Sequence, residues 1–185
     1  SVRSLTISLK RNSPFSTRLF SLGDFIEMVL EVNPSQCTLV PDAPGQLTSD
    51  HGWDTLKNEK LLSSVISKLK AKGIRVSLFI DANNEMIAGA KRVGADRIEF
   101  YTGPFAAAFE ENKDKALKEI KAAAVFCNEI GIEINAGHDL NLDNLKFLKE
   151  NIENLLEVSI GQAFVRDCLY FGLENTVHLY KRLLA

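Results

Sequence analysis

The chain has 185 residues, 45% hydrophobic and 25% charged, and its 22 Lys and Arg against 24 Asp and Glu leave a net charge of −2. That is enough chain to bury a core, and too even a balance to recruit nucleic acid or an anionic membrane by bulk electrostatics. Cys37, Cys127 and Cys168 are odd in number and widely spaced, which argues against a disulfide framework or a zinc site and fits reduced thiols in a cytoplasmic protein. No apolar run approaches the roughly 20 residues of a membrane helix.

Residues 1–21 form an atypical leader. Up to Gly23 the charged residues are Arg3, Lys10, Arg11 and Arg18, interspersed with serines, and the first acid is Asp24. Such a composition suits an organellar targeting segment. A short strand at Leu5–Leu9 (LTISL), or a misread or truncated start, is the plainer reading and is preferred.

From Leu22 the periodicity is regular. Asp24 is a candidate N-cap for a helix through Val32, stopped by Asn33-Pro34. Cys37–Val40 reads as a buried strand ending at Pro41, followed by a polar loop from Asp42 to Trp53. Leu61, Leu62, Val65, Ile66 and Leu69 repeat with helical period within a helix over Leu56–Ala71, closed by Gly73. Ile74–Ile80 is a strand, Asn84–Val93 a helix and Arg97–Tyr101 a strand leading into a Gly-Pro loop. Lys113–Ile130 is a long helix ended by Gly131, and Ile132–Ala136 is a strand. Asp143–Asn151 is a helix, Leu156–Ile160 a strand, and Ala163–Leu184 mostly helix.

Five strands, each followed by a helix, argue a parallel sheet in an α/β domain spanning residues 22–185. A doubly wound open sheet and a (β/α)8 TIM barrel compete for this pattern. Alternation within the strands favours the barrel. In RIEFY, Ile98 and Phe100 share one face while Arg97, Glu99 and Tyr101 share the other, and in IEINA Glu133 and Asn135 alternate with isoleucines. An open sheet greases both faces of its central strands, whereas a barrel enzyme accepts polar side chains near the mouth of its lumen. Five units still fall short of eight.

Residues able to do chemistry cluster at the C-terminal ends of strands, the active face of either architecture. His138 is the strongest single candidate, because an imidazole moves protons near neutral pH and Gly137 lets the backbone turn. A loop histidine held by hydrogen bonds is the bland alternative. Glu99 is an acid inside an apolar strand, suited to an acid–base role or to an ion pair with Arg97 or Arg75. Gly161-Gln162 opens a helix and offers backbone N–H groups to a phosphate, though a plain turn explains it too. Thr48 has a hydroxyl to offer a substrate, yet most loop threonines cap or turn. His51 reads as solvated, Trp53 as packed on the rim, His178 as a surface or packing residue, and the cysteines as small core residues. There is no Walker loop, no dinucleotide fingerprint and no metal-ligand motif, so no metal is expected.

Five stretches, CTLVPDAPGQLTSDHGWD (37–54), GIRVSLFIDAN (73–83), GADRIEFYTGPFA (94–106), INAGHDLNLDNL (134–145) and EVSIGQAFVRDCLYFGLENTV (157–177), together resemble the pyridoxine 5′-phosphate synthase family in order and spacing. The resemblance implies a (β/α)8 barrel that condenses 1-deoxy-D-xylulose 5-phosphate with 3-amino-2-oxopropyl phosphate, releasing phosphate and water as the pyridine ring closes. It implies general acid–base catalysis with no metal or redox cofactor. It also implies small phosphorylated substrates, no nucleic-acid or membrane partner, and a cytoplasmic homo-oligomer, often an octamer. By this resemblance His138 is the proton donor, Glu99 stabilises the transition state and Thr48 contacts the deoxyxylulose phosphate. The backbone at Asp139 (where some members have glycine) and Gly161-Gln162 (many read Gly-His) contact the aminoketone phosphate. A non-catalytic sugar-phosphate-binding module and another phosphate-binding barrel isomerase or aldolase are the alternatives.

The family pattern further implies about three βα units ahead of Leu22, as in a complete barrel of ~250 residues. Their motifs, including a second catalytic histidine and a glutamate, are not readable in Ser1–Ser21. The chain is therefore expected to be the C-terminal part of the barrel, with unpaired edges at Cys37–Val40 and Leu156–Ile160. On its own it is expected to self-associate and to turn over little or not at all.

Overall fold

The computed structural model describes residues 4–8, 22–41 and 49–185. The chain divides into two units, Ser1–Glu99 and Phe100–Ala185, with the boundary inside strand β4 (Arg97–Tyr101).

The first unit contains β1 (Ser4–Ser8), α1 (Leu22–Val32), β2 (Gln36–Val40), α2 (Glu59–Lys70), β3 (Arg75–Ile80) and α3 (Asn84–Arg92) ahead of β4. Its strands run in the order β1-β2-β3-β4. The first three pair in parallel, with Thr6 opposite Thr38 and Thr38 opposite Ser77. Asp96 leads β4 in alongside β3: its N–H donates to Val76 O and its carboxylate accepts from Val76 N–H, both at 2.9 Å. All five residues of β2 and all but Arg75 of β3 are buried, as expected of parallel strands covered on both faces. Val29, Leu39, Leu69, Val76, Leu78 and Ile87 make the centre of this unit's core.

Three local readings are corrected here. The expected strand at Leu5–Leu9 forms as β1, one residue earlier, and its pairing means that Cys37–Val40 is not an open edge. Asp24 lies in the first turn of α1 rather than capping it, where a carboxylate still complements the helix dipole. Helix α2 begins at Glu59, not Leu56, because the Asp54 carboxylate takes the Lys57 N–H at 3.0 Å and holds the preceding residues in a turn.

The second unit takes up the end of β4 and continues through α4 (Gly103–Phe109), α5 (Lys113–Ile130), β5 (Glu133–Gly137), α6 (Leu145–Asn151), β6 (Leu155–Ser159), α7 (Gln162–Phe171) and α8 (Leu173–Leu184). Strands β5 and β6 are parallel, with Asn135 opposite Glu157 and an irregularity between Ile134 and Asn135. Asn112 caps α5 by accepting the Lys115 N–H, and Gly131 ends it in the left-handed region at φ 68°.

Two sequence expectations change here as well. The Gly-Pro segment after β4 is a helix rather than a loop. Pro104 sits in its first turn, where a missing N–H costs nothing, and Phe105 and Phe109 bury its inner side. The long C-terminal helix is two helices, because Gly172 takes φ 78° and ψ 154° and breaks the backbone between α7 and α8. Among the described residues no helix is long and apolar enough to cross a membrane.

Candidate functional site

In the first unit, period-two alternation puts polar residues on one face of β2, β3 and β4. Thr38 Oγ1 donates to Glu99 Oε2 at 3.2 Å, and both side chains are buried. Ser77 lies opposite Thr38, fully buried, and its hydroxyl has no hydrogen-bond partner among the described residues. Two residue pairs earlier, on the same face, Arg75 Nη1 donates to Gln36 Oε1 at 3.3 Å. The face therefore carries an amide–guanidinium pair and then a hydroxyl–carboxyl pair, polar side chains sharing one side of the sheet as period-two alternation requires. Thr38 is a member that the sequence did not single out. A threonine in a β-branched strand carries no signal of its own until its register is known.

The segment after β2 returns to the ends of β2 and β3 at Gly52 and Trp53. Gly52 N–H donates to Asp81 Oδ2 at 3.0 Å, Trp53 N–H to Phe79 O at 2.9 Å, and Trp53 Nε1 to Leu39 O at 3.0 Å. A β-carbon on Gly52 would stand 2.4 Å from Asp81 N, so glycine is needed for this close approach. Trp53 thus staples the segment through its indole rather than only packing on a rim. His51 is exposed and its Nδ1 meets Asp50 Oδ1 at 2.6 Å. Thr48, the expected contact to a sugar phosphate, lies outside the described residues.

In the second unit, His138 follows β5 directly. His138 and Asp139 both adopt left-handed backbone angles, φ 79° and φ 55°, which non-glycine residues seldom take. The turn brings the two side chains together, with His138 Nδ1 2.8 Å from Asp139 Oδ2. The Tyr101 ring stands edge-on to the imidazole, centroids 5.2 Å apart and planes at 80°. Tyr101 folds back over Gly103, where a β-carbon would meet its hydroxyl at 2.2 Å. His138 keeps about a quarter of its side chain exposed, enough to meet a ligand while its orientation is held. Thr102, buried just after β4, has its hydroxyl within hydrogen-bond reach of both Gly137 O, at 2.8 Å, and His138 O, its one proton shared between them.

The neighbouring strand supplies Glu157, whose Oε2 accepts from Asn135 Nδ2 at 3.1 Å. Gly161 then opens α7, exposed, with nothing within 4 Å of where a β-carbon would lie. This glycine is not forced by crowding, and the first-turn N–H groups of α7 begin at Gln162 in open surroundings. A groove of about 580 Å³ along α7, lined by Gln162, Val165, Arg166, Leu169 and Tyr170, is mostly apolar and holds no carboxylate or imidazole. Among the described residues no three His, Cys, Asp or Glu side chains gather as a metal site.

Parallel strands alternating with helices define an α/β protein of the parallel-sheet class. The family model described as "Pyridoxal phosphate biosynthesis protein PdxJ" matches residues 7–185, and the chain belongs to that family. It is 51% identical over 162 residues to the pyridoxine 5′-phosphate synthase of Cytophaga hutchinsonii, a match covering 88% of this chain and 68% of that one. To the enzyme of the same name from Christiangramia forsetii it is 48% identical over 173 residues, 94% of this chain and 73% of that one. To that of Bacteroides thetaiotaomicron it is 47% identical over 170 residues, 92% and 72%. Among solved structures, the HMG-CoA lyase of Brucella melitensis aligns with a TM-score of 0.57 at 14% identity, over 91% of this chain and 62% of that one. The Amycolatopsis orientalis BexX/CysO complex gives 0.54 at 13%, over 85% and 59%. At such identities the likeness is one of fold alone.

Proposed function

We propose that this protein is a pyridoxine 5′-phosphate synthase, condensing 1-deoxy-D-xylulose 5-phosphate with 3-amino-2-oxopropyl phosphate to pyridoxine 5′-phosphate, phosphate and water. Family membership and about 50% identity to enzymes of that name support the reading. The observation that carries it is the His138–Asp139 pair, a histidine held at a strand end in a left-handed turn with a carboxylate on its Nδ1. A carboxylate only accepts, so it keeps the Nδ1 proton in place and makes Nε2 the atom that gives and takes protons. Imine formation, elimination and ring closure each need such a proton carrier.

Glu99 stabilises positive charge that develops as the amine condenses with the ketone; a buried carboxylate does this better than an exposed one. Thr48 contacts the deoxyxylulose phosphate. The backbone at Asp139 and the start of α7 at Gly161-Gln162 receive the aminoketone phosphate, whose charge the first-turn N–H groups complement. Gln162 keeps this backbone cradle while offering a neutral side chain. The domain of residues 22–185 is of the (β/α)8 barrel kind, working in the cytoplasm as a homo-oligomer on small phosphorylated substrates.

The test is to supply both substrates to the purified protein and follow pyridoxine 5′-phosphate by mass spectrometry. Product that depends on both substrates supports the reading. Calorimetric binding of deoxyxylulose phosphate with no product would favour a binding module, and turnover without the aminoketone phosphate would favour a different barrel enzyme.

A further inference from the structure

We infer that Thr102 is a positioning residue for His138, holding the backbone that aims the imidazole; this rests on the proton-transfer role proposed for His138. Thr102 stands immediately before α4, in the position where a threonine ordinarily accepts a first-turn N–H, and it makes no such capping bond. Its hydroxyl is committed to β5 instead, where its one proton is shared between Gly137 O, at 2.8 Å, and His138 O. Its own N–H donates to Gly137 O at 3.0 Å. The hydroxyl and the N–H of one fully buried residue therefore converge on the carbonyls of two successive peptides, Gly137–His138 and His138–Asp139.

Those carbonyls begin a costly stretch of backbone. His138 and Asp139 are consecutive non-glycine residues in the left-handed region, and such strain persists only where the surroundings over-determine it. Without the clamp, the peptide after His138 can rotate toward ordinary extended angles. That rotation carries the imidazole away from the Asp139 carboxylate and from the edge of Tyr101. Thr102 touches no reacting atom in this account and acts through His138 alone. A buried hydroxyl is required, and valine, which is nearly the same shape, cannot replace it.

The experiment compares Thr102→Val, Thr102→Ala and Thr102→Ser with His138→Asn in the full-length protein, reading kcat and KM for each substrate. Displacing a catalytic group by about 1 Å costs about 10²-fold, so Thr102→Val and Thr102→Ala should lower kcat by that order while KM moves less than about threefold. Thr102→Ser keeps the hydroxyl and should restore kcat to within about threefold of wild type. Long-range ¹H–¹⁵N spectra of the His138 ring give a readout independent of turnover: a single Nδ1–H tautomer in wild type and Thr102→Ser, and averaged ring shifts in Thr102→Ala. Wild-type kcat or unchanged ring shifts in the alanine variant, with His138→Asn inactive, would overturn the positioning role and leave that of His138 standing. Full turnover in His138→Asn would instead remove the reading on which it rests.

Discussion

Thr38 donates its hydroxyl to Glu99 across 61 residues of sequence, at 3.2 Å and wholly inside the first unit. The bond connects a residue that the sequence left unremarked to one that it singled out as an acid. Thr38→Val keeps the β-branched shape and removes one donor from a buried carboxyl. The expected loss is about 1–3 kcal/mol of unfolding free energy with an unchanged denaturant slope, and Thr38→Ser should recover most of it. Urea titration measures this. A valine variant as stable as wild type would show that Glu99 does not depend on the hydroxyl.

Gly52 is wedged against β3, and a methyl group there would lie 2.4 Å from Asp81 N and 2.5 Å from Ile80 Cα. Both are backbone atoms and cannot swing aside. Gly52→Ala should therefore cost about 1–3 kcal/mol and loosen the segment that Trp53 staples to Leu39 O. Thermal melting reads the first effect and tryptophan fluorescence the second, since Trp53 is the chain's one tryptophan.

Burial raises the Cys37 thiol to about 11 and the Cys127 thiol to about 12, so the folded protein keeps both protonated where an unfolded chain ionises near ~8.5. A group whose folded value is raised contributes its full stability below the unfolded value, and that contribution fades as pH climbs toward the folded one. Unfolding free energy, followed by urea titration, should fall between about pH 8.5 and 11. In a thiol-reagent assay at pH 8 the partly exposed Cys168 should react first. A flat profile through that range, or early modification of Cys127, would contradict this.

Asp167 is buried on α7, where its Oδ2 accepts from Tyr180 Oη at 2.7 Å and its Oδ1 from the Arg166 guanidinium at 3.1 Å. Burial foremost, and the carboxylate beside it, push the Tyr180 phenol well above its ordinary value. Tyr180→Phe should cost about 1–3 kcal/mol because it leaves a buried carboxylate short of a donor. Arg166→Ala, which removes a mostly exposed partner, should cost under about 1 kcal/mol. Chemical denaturation of the two variants side by side checks the order. Equal losses would mean that the guanidinium carries as much as the phenol.

Much of this was legible before any coordinates. The strand–helix alternation from Gln36 to Leu184 follows from apolar periodicity, and the end of α5 follows from Gly131, because these signals are local. His138 could be found because a glycine precedes it at a strand end, and Asp139 because it came with the same motif. What escaped depends on register or tertiary contact. Thr38 meets Glu99 only once β2, β3 and β4 are aligned. Asp81 and Gly52 meet only once the loop returns to β3. Thr102 reaches Gly137 and His138 only once β5 is placed beside it. The break at Gly172 was hidden because helical spacing continues on both sides of it, and the helix at Gly103–Phe109 because glycine and proline advertise a turn more loudly than three alanines advertise a helix.

The central claim is that the His138 imidazole moves protons for the condensation. Turnover by His138→Asn in the full-length protein, with folding checked by circular dichroism, tests it most directly. The expected result is a fall in kcat of about 10²–10⁴ with the fold intact. A folded variant whose kcat stays within a few-fold of wild type would contradict it.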